Sequence, residues 1–264
     1  TVSQRPRNVC AARPRNDSQH SQRVATCRND AQRFATLATI RNTRNVFATP
    51  ATAEDPIILP AARLEKLFDG IVLTEGVAVA PDGMVYFSDI TFSHNSPGPK
   101  GSFHAGHIWN YNPRTGKTKI FRSPSGMSNG IKFDAAGNML VAQGADFGGR
   151  SVIRTDMKTG MSYVIAGLFK GKKFNAPNDI SVDEKGRIYF SDPRYMGHES
   201  IEQPVVGVYR IDPDGTITRI ITDAGKANGV CVSPDQKSLY VVSNDNGATA
   251  IERLAKDEDA EGPV

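Results

Sequence analysis

An internal repeat constrains this chain more than any other feature of its sequence. Glu75-Gly-Val-Ala-Val-Ala-Pro-Asp-Gly83, Asn129-Gly-Ile-Lys-Phe-Asp-Ala-Ala-Gly137 and Asn178-Asp-Ile-Ser-Val-Asp-Glu-Lys-Gly186 share one pattern, with a turn glycine eight residues after a polar opener. Asn228-Gly-Val-Cys-Val-Ser-Pro-Asp-Gln236 is a fourth copy with Gln236 in the turn. Apolar alternation between opener and turn predicts a strand. A second strand follows each copy, at Met84–Phe87, Met139–Ala142, Arg187–Phe190 and Leu239–Val242. Third strands are expected at His107–Tyr111 and Gly207–Ile211, and fourth strands at Lys117–Phe121, Met161–Ala166 and Thr216–Ile221. The openers recur at intervals of 54, 49 and 50 residues. Four short strands per period of about 40–50 residues, with no helix-length periodic segment, give an all-β fold: a β-propeller of four-stranded blades.

About four blades are visible. A six-bladed ring at this period would need about 300 residues, whereas 190 run from Glu75 to Val264. The alternatives are a four-bladed ring or a six-bladed one cut short at its C-terminal end, and the second is the expectation here. The third strand of the fourth copy is expected near Ala250–Leu254, and Leu64–Phe68 reads as an outer strand that would close the ring.

Residues 1–60 form a separate unit. Before Glu54 there are nine Arg, no Lys, two Asp and no Glu, with few large apolar residues and no sustained period. That is the composition of a disordered Arg-rich leader or an upstream artefact, followed by a propeller over 61–264. The net charge of +4 is therefore concentrated in the leader rather than on folded structure, which argues against a nucleic-acid or anionic-membrane surface. No apolar run approaches the roughly 18 residues of a membrane span. Cys10, Cys27 and Cys231 offer neither a disulfide framework nor a metal spacing, and Cys231, inside a strand, reads as a small buried hydrophobe.

The chemistry is expected where the repeats open. The first strand of a blade lines the central channel, so Glu75, Asn129, Asn178 and Asn228 converge from four blades. One carboxylate among amide oxygens suits a hard divalent cation, Ca²⁺ ahead of Mg²⁺, while the lack of a thiolate or imidazole cluster weighs against Zn²⁺ without removing it. Each Asn taken alone is an ordinary turn former, but a turn former gives no reason for Glu75 at the equivalent position of the first copy. Asp179 lies on the opposite side of its strand from Asn178 and reads as structural. Ser88-Asp89 and Ser191-Asp192, at strand ends, suit turn satisfaction rather than nucleophilic catalysis, and no Gly-x-Ser-x-Gly elbow is present. The spacing of His94, His104 and His107 matches no metal motif.

Phe174-Asn-Ala-Pro-Asn-Asp179 and Ile188-Tyr-Phe-Ser-Asp-Pro193 closely resemble the Asn-Ser-Pro-Asn-Asp and Tyr-Phe-Thr-Asp-Pro signature of gluconolactonases. Arg150-Ser-Val-Ile-Arg154, Gly171-Lys-Lys173, Thr74-Glu75-Gly76 and Ala227-Asn228-Gly229 fit the same gluconolactonase and regucalcin superfamily over about Leu64 to Arg253. The resemblance implies a six-bladed propeller that hydrolyses a sugar lactone with one divalent cation, usually Ca²⁺, held by Glu75, Asn178 and Asn228. It also implies a further Asp from a later blade as ligand and general base, which has no counterpart after Asn228. Asn129 is a candidate for metal or substrate. Arg194, Tyr195 and His198, in the loop after Asp192-Pro193, are candidates for contacts to sugar hydroxyls. A propeller that binds ligand or protein without catalysis, and an ester or lactone hydrolase of paraoxonase-like or strictosidine-synthase-like type, are the alternatives.

Overall fold

The computed structural model describes residues 61–69, 71–91 and 98–244, together with Ile58 and the backbone of Val24–Arg28. That early stretch, within the expected leader, is strand β1 (Val24–Arg28). The first complete sheet contains β2 (Thr74–Val79), β3 (Val85–Asp89), β4 (His107–Asn112) and β5 (Lys117–Arg122). The second contains β6 (Ser128–Phe133), β7 (Met139–Gln143), β8 (Ser151–Thr155) and β9 (Ser162–Ala166). A small hairpin, β10 (Leu168–Phe169) and β11 (Lys172–Lys173), leads to the third sheet, β12 (Ile180–Val182), β13 (Ile188–Asp192), β14 (Gly207–Ile211) and β15 (Ile217–Ile221). A fourth begins with β16 (Ala227–Val232) and β17 (Leu239–Ser243), and β1 lies parallel to β17 on its far side.

Within each complete sheet the strands pair antiparallel in chain order, as propeller blades do. The strands expected from the repeat match to within a residue or two at most ends. The turn between first and second strands is built alike four times: Gly83 N–H donates to Ala80 O, Gly137 to Asp134, Gly186 to Asp183 and Gln236 to Ser233, at 2.9–3.0 Å. All four turn residues have positive φ, between 60° and 84°, which glycine adopts without cost. Gln236 does so as a non-glycine residue, and its Oε1 accepts from Glu184 N–H in the neighbouring turn at 3.0 Å.

The apolar cores lie between sheets. Ala78, Tyr86 and Ile108 of the first pack on Ile131, Met139, Val141 and Ile153 of the second. Leu140, Ala142 and Val152 of the second meet Ile180, Ile188, Phe190, Tyr209 and Ile211 of the third, with Phe169 and Phe174 inserted. Val208 and Ile221 then meet Val230 and Val241. Middle strands β3 and β13 are buried on both faces because each sheet is sandwiched between neighbours or covering segments.

Two expectations end differently. Leu64–Phe68 contains only a single bridge residue, Lys66, and instead of a closing strand it supplies Leu67 and Phe68 to cover Phe87 and Trp109. Cys231 is exposed rather than buried, because strand alternation sends Val230 into the core and its neighbour to the other face. Ala250–Leu254 lies outside the described residues, as do Cys10, His94 and most of the leader. Among the described residues no helix is long and apolar enough to cross a membrane.

Candidate functional site

The four openers are brought together by contact between innermost strands. β2 lies beside β6, β6 beside β12 and β12 beside β16. Gly130 N–H donates to Asn178 O at 2.7 Å across the second junction. A Cβ on Gly76 would fall 1.9 Å from Asn129 O, and one on Gly130 would fall 2.8 Å from Asn178 O. The glycine after each of the first two openers therefore exists because the next strand's backbone occupies the space a side chain would need. At the third junction Asp179 takes the glycine's place and its carboxylate reaches across, accepting Val230 N–H at 2.9 Å.

A β-bulge accompanies three of the openers. Pairing skips between Glu75 and Ala78, between Ser128 and Ile131, and between Ala227 and Val230, so Glu75, Asn129 and Asn228 all lie at an irregularity that re-aims side chains. In the third blade Asn178 and Asp179 precede the regular strand, and Ser191 on β13 holds them. Asn178 N–H donates to Ser191 O at 2.9 Å, Ser191 N–H to Asp179 O at 3.1 Å, and Asp179 N–H to Ser191 Oγ at 3.1 Å. The Ser191 hydroxyl in turn donates to Asn228 O at 2.5 Å, and Ser88 donates likewise to Asn129 O at 2.8 Å.

Asp192 explains why the two signature segments occur together. Its carboxylate is fully buried and accepts Asn175 N–H at 2.9 Å and Ala176 N–H at 2.7 Å, so the end of β13 clamps the loop that leads into Asn178. Burial pushes Asp192 up to about 7, against the pull of those two donors and of Arg150 and Arg194. Asp89 repeats the device in the first blade, accepting Val72 N–H at 3.0 Å and Leu73 N–H at 3.1 Å. The Ser-Asp pairs thus have structural partners, and their recurrence at two strand ends was the signal available in the sequence.

The acidic groups are held in an unusual state. Burial raises the Glu75 carboxyl above the usual range, and the neighbouring charge of Asp179 raises it further. Asp179 is itself raised by burial, while its bonds from Val230 and Ile180 N–H and the nearby Lys132 pull the other way. Asn178 Oδ1 is buried with no hydrogen-bond partner among the described residues, a costly arrangement for an amide oxygen. A carboxyl raised by burial at Glu75 and an unpartnered amide oxygen at Asn178 are donors of the kind a hard cation takes, since binding one would lower the cost of each. Among the described residues no group of three or more His, Cys, Asp or Glu side chains could hold a metal, so any site here relies on amide oxygens.

The loop after β13 carries the remaining candidates. Arg194 is 3% exposed, and its guanidinium donates to Asn175 O at 3.0 Å, to Glu199 O and to Glu199 Oε2 at 3.3 Å. Its described bonds thus hold this loop against the signature loop. The Tyr195 hydroxyl meets the Asn228 side chain. The His198 side chain is 54% exposed, 3.9 Å from Asp146 Oδ1 and tilted by 39° against the Phe147 ring, with ring centroids 4.1 Å apart. Phe103 adds a third ring 4.9 Å from Phe147. Because Thr74 pairs with Asp89 and Ser128 with Gln143, the loops after β3, β7 and β13 emerge at the end where the openers lie. Phe103, Phe147 and His198 therefore form an aromatic cluster on the openers' side of the sheets. Asp146 and Phe147 have φ of 63° and 67°, held there by Glu199, which accepts both their N–H groups at 3.1 and 2.8 Å. Nothing in the sequence pattern marked Phe147.

The SMP-30/gluconolactonase/LRE-like region matches residues 73–262. The chain belongs to this family. It is 35% identical over 137 residues to a gluconolactonase of Zymomonas mobilis, covering 50% of this chain and 37% of that protein. It is 27% identical over 198 residues to the lactonase drp35 of Staphylococcus epidermidis, covering 74% of this chain and 54% of that protein. The chain thus spans between about a third and about half of these family members' lengths. A solved gluconolactonase structure from Xanthomonas campestris superposes with a TM-score of 0.56 at 25% identity, covering 66% of this chain and 56% of that one.

Proposed function

We propose that this chain supplies the cation-binding face of a metal-dependent lactonase acting on a sugar lactone. The observation that carries the reading is the buried, unpartnered Asn178 Oδ1 just before a strand whose neighbours bring the Glu75 opener to the same set of junctions, on a scaffold of the gluconolactonase family. Glu75, Asn178 and Asn228 would hold the cation, with Asn129 at its edge. Ca²⁺ suits a set of one carboxylate and amide oxygens better than Mg²⁺ or Zn²⁺. When bound, such a cation supplies Lewis-acid polarisation of the lactone carbonyl.

The chain's own residues supply position and charge. Glu75 contributes the formal negative charge, and the charge of Asp179 acting on it raises the demand for a cation. Ser191 fixes the backbones of Asn178 and Asn228 relative to each other. Asp192 and Arg194 hold the Asn175–Asn178 loop, so Arg194 acts as support. Contacts to the hydroxyl groups of a lactone fall to His198, with Phe147 offering a ring face.

Gluconolactone hydrolysis by this chain, with EDTA and with Ca²⁺ restored, tests the reading together with Ca²⁺ titration of Glu75→Gln. The expected result is turnover that needs the cation and a loss of both turnover and affinity of at least tenfold in Glu75→Gln. Metal-independent turnover, or unchanged affinity in that variant, would overturn it.

A further inference from the structure

We propose that Tyr195 is a positioning residue that orients the Asn228 amide so that its Oδ1 is the end presented to a hard divalent cation. The proposal rests on the cation-site reading above and goes further in saying what sets one ligand's orientation.

An asparagine amide has a donor end and an acceptor end of nearly the same shape, and only the oxygen end can bind a cation. Something must therefore choose between two orientations of Asn228. The choice follows from polarity along a three-group relay. Lys226 O is a carbonyl and can only accept, and the Tyr195 hydroxyl lies 3.4 Å from it as donor. With its proton committed there, the phenol oxygen meets Asn228 as an acceptor, and Asn228 Nδ2 donates to it at 3.3 Å. Orienting Nδ2 towards Tyr195 sends Oδ1 the other way. The reverse orientation would set two acceptor oxygens against each other.

The relay is anchored at both ends. The Lys226 side chain is fully buried, with its Nζ 5.5 Å from the Tyr195 ring centroid, a distance at which a cation and an aromatic face attract. Lys226 O also accepts Asn244 N–H at 2.9 Å. Asn228 O accepts from the Ser191 hydroxyl, which ties down the backbone that carries the amide. Tyr195 comes from the loop of one blade and Asn228 from the innermost strand of the next, so the orientation is set only where the two blades meet. Tyr195 need not touch a substrate to do this.

The test is a double-mutant cycle read by calorimetric titration of Ca²⁺ alone into the full chain. Tyr195→Phe keeps the ring over Lys226 and removes one hydroxyl, and is expected to weaken Ca²⁺ binding about three- to tenfold, the size of one modest hydrogen bond. Asn228→Asp provides the discriminating background, because a carboxylate has oxygen at both ends and needs no orienting. There the added Tyr195→Phe change should leave Ca²⁺ affinity within about twofold. An equal loss in both backgrounds would mean that Tyr195 serves the fold rather than the amide, and would overturn the proposal. So would wild-type affinity in Tyr195→Phe alone. Absence of Ca²⁺ binding by the wild-type chain would overturn the cation-site reading and this proposal together, whereas the preceding outcomes leave that reading intact.

Discussion

Gly130→Ala tests how the site is assembled, because Gly130 lies where β6 touches β12 and its φ is not in the left-handed region, so only space is at issue. An added Cβ would be 2.7 Å from Asp179 Cα, 2.8 Å from Asn178 O and 2.8 Å from Ile180 N. All three are backbone atoms that no rotamer change can move. Relief requires the strands to separate, which stretches or breaks the 2.7 Å bond from Gly130 N–H to Asn178 O. Overpacking of this kind costs about 1–3 kcal/mol and the hydrogen bond about 1 more, so about 2–4 kcal/mol is expected. For a folded unit of this size that lowers the melting midpoint by roughly 5–15 °C. Gly215→Ala is the control, with φ of 87° and nothing within 4 Å of its Cβ; it should cost only the left-handed penalty of about 1–2 kcal/mol. Thermal and urea denaturation followed by circular dichroism measure both. If Gly130→Ala proves no more destabilising than Gly215→Ala, the close junction is not what holds the openers together.

Two further expectations concern the clamps. Asp192 keeps a proton in the folded chain up to about pH 7 that an unfolded chain loses near pH 4, so its ionisation opposes folding and stability should fall as pH rises through that window. Asp192→Asn should flatten that slope in urea midpoints while lowering stability overall, since Asn has one acceptor oxygen for two N–H donors; an unaltered slope would exclude Asp192 as its source. Glu199→Ala leaves the N–H groups of Asp146 and Phe147 without their described acceptor, and hydrogen exchange should accelerate at those two amides while β7 and β8 remain protected. Equal protection there would show that the two left-handed residues hold themselves.

Much of the fold was legible because its signals are local. The turn glycines Gly83, Gly137 and Gly186 stand where only a positive φ closes the hairpin, and the alternation on either side needs no knowledge of partners. The openers were legible for the same reason, through repetition at one position. What lay beyond the sequence is what depends on a neighbouring blade. Arg194 sits in a loop and reads as a substrate contact, yet its described partners are Asn175 and Glu199. Cys231 reads as core because its strand is apolar, yet its face is the exposed one. Strand alternation turns Asp179 away from Asn178, and its carboxylate accepts Val230 N–H, but its charge acting on Glu75 depends on the packed blades.

The junctions between innermost strands also say something about how such a chain can be rearranged. The blades are near-copies in their strands but not along their seams. Two seams are closed by the absence of a side chain, at Gly76 and Gly130, and one by the presence of a carboxylate, at Asp179. A duplicate of either of the first two blades spliced in place of the third would bring a glycine to the one seam that uses a side chain, leaving Val230 N–H without that partner. Blade order is thus written into the seams, and an engineer who shuffles repeats by matching strands alone would carry the wrong address.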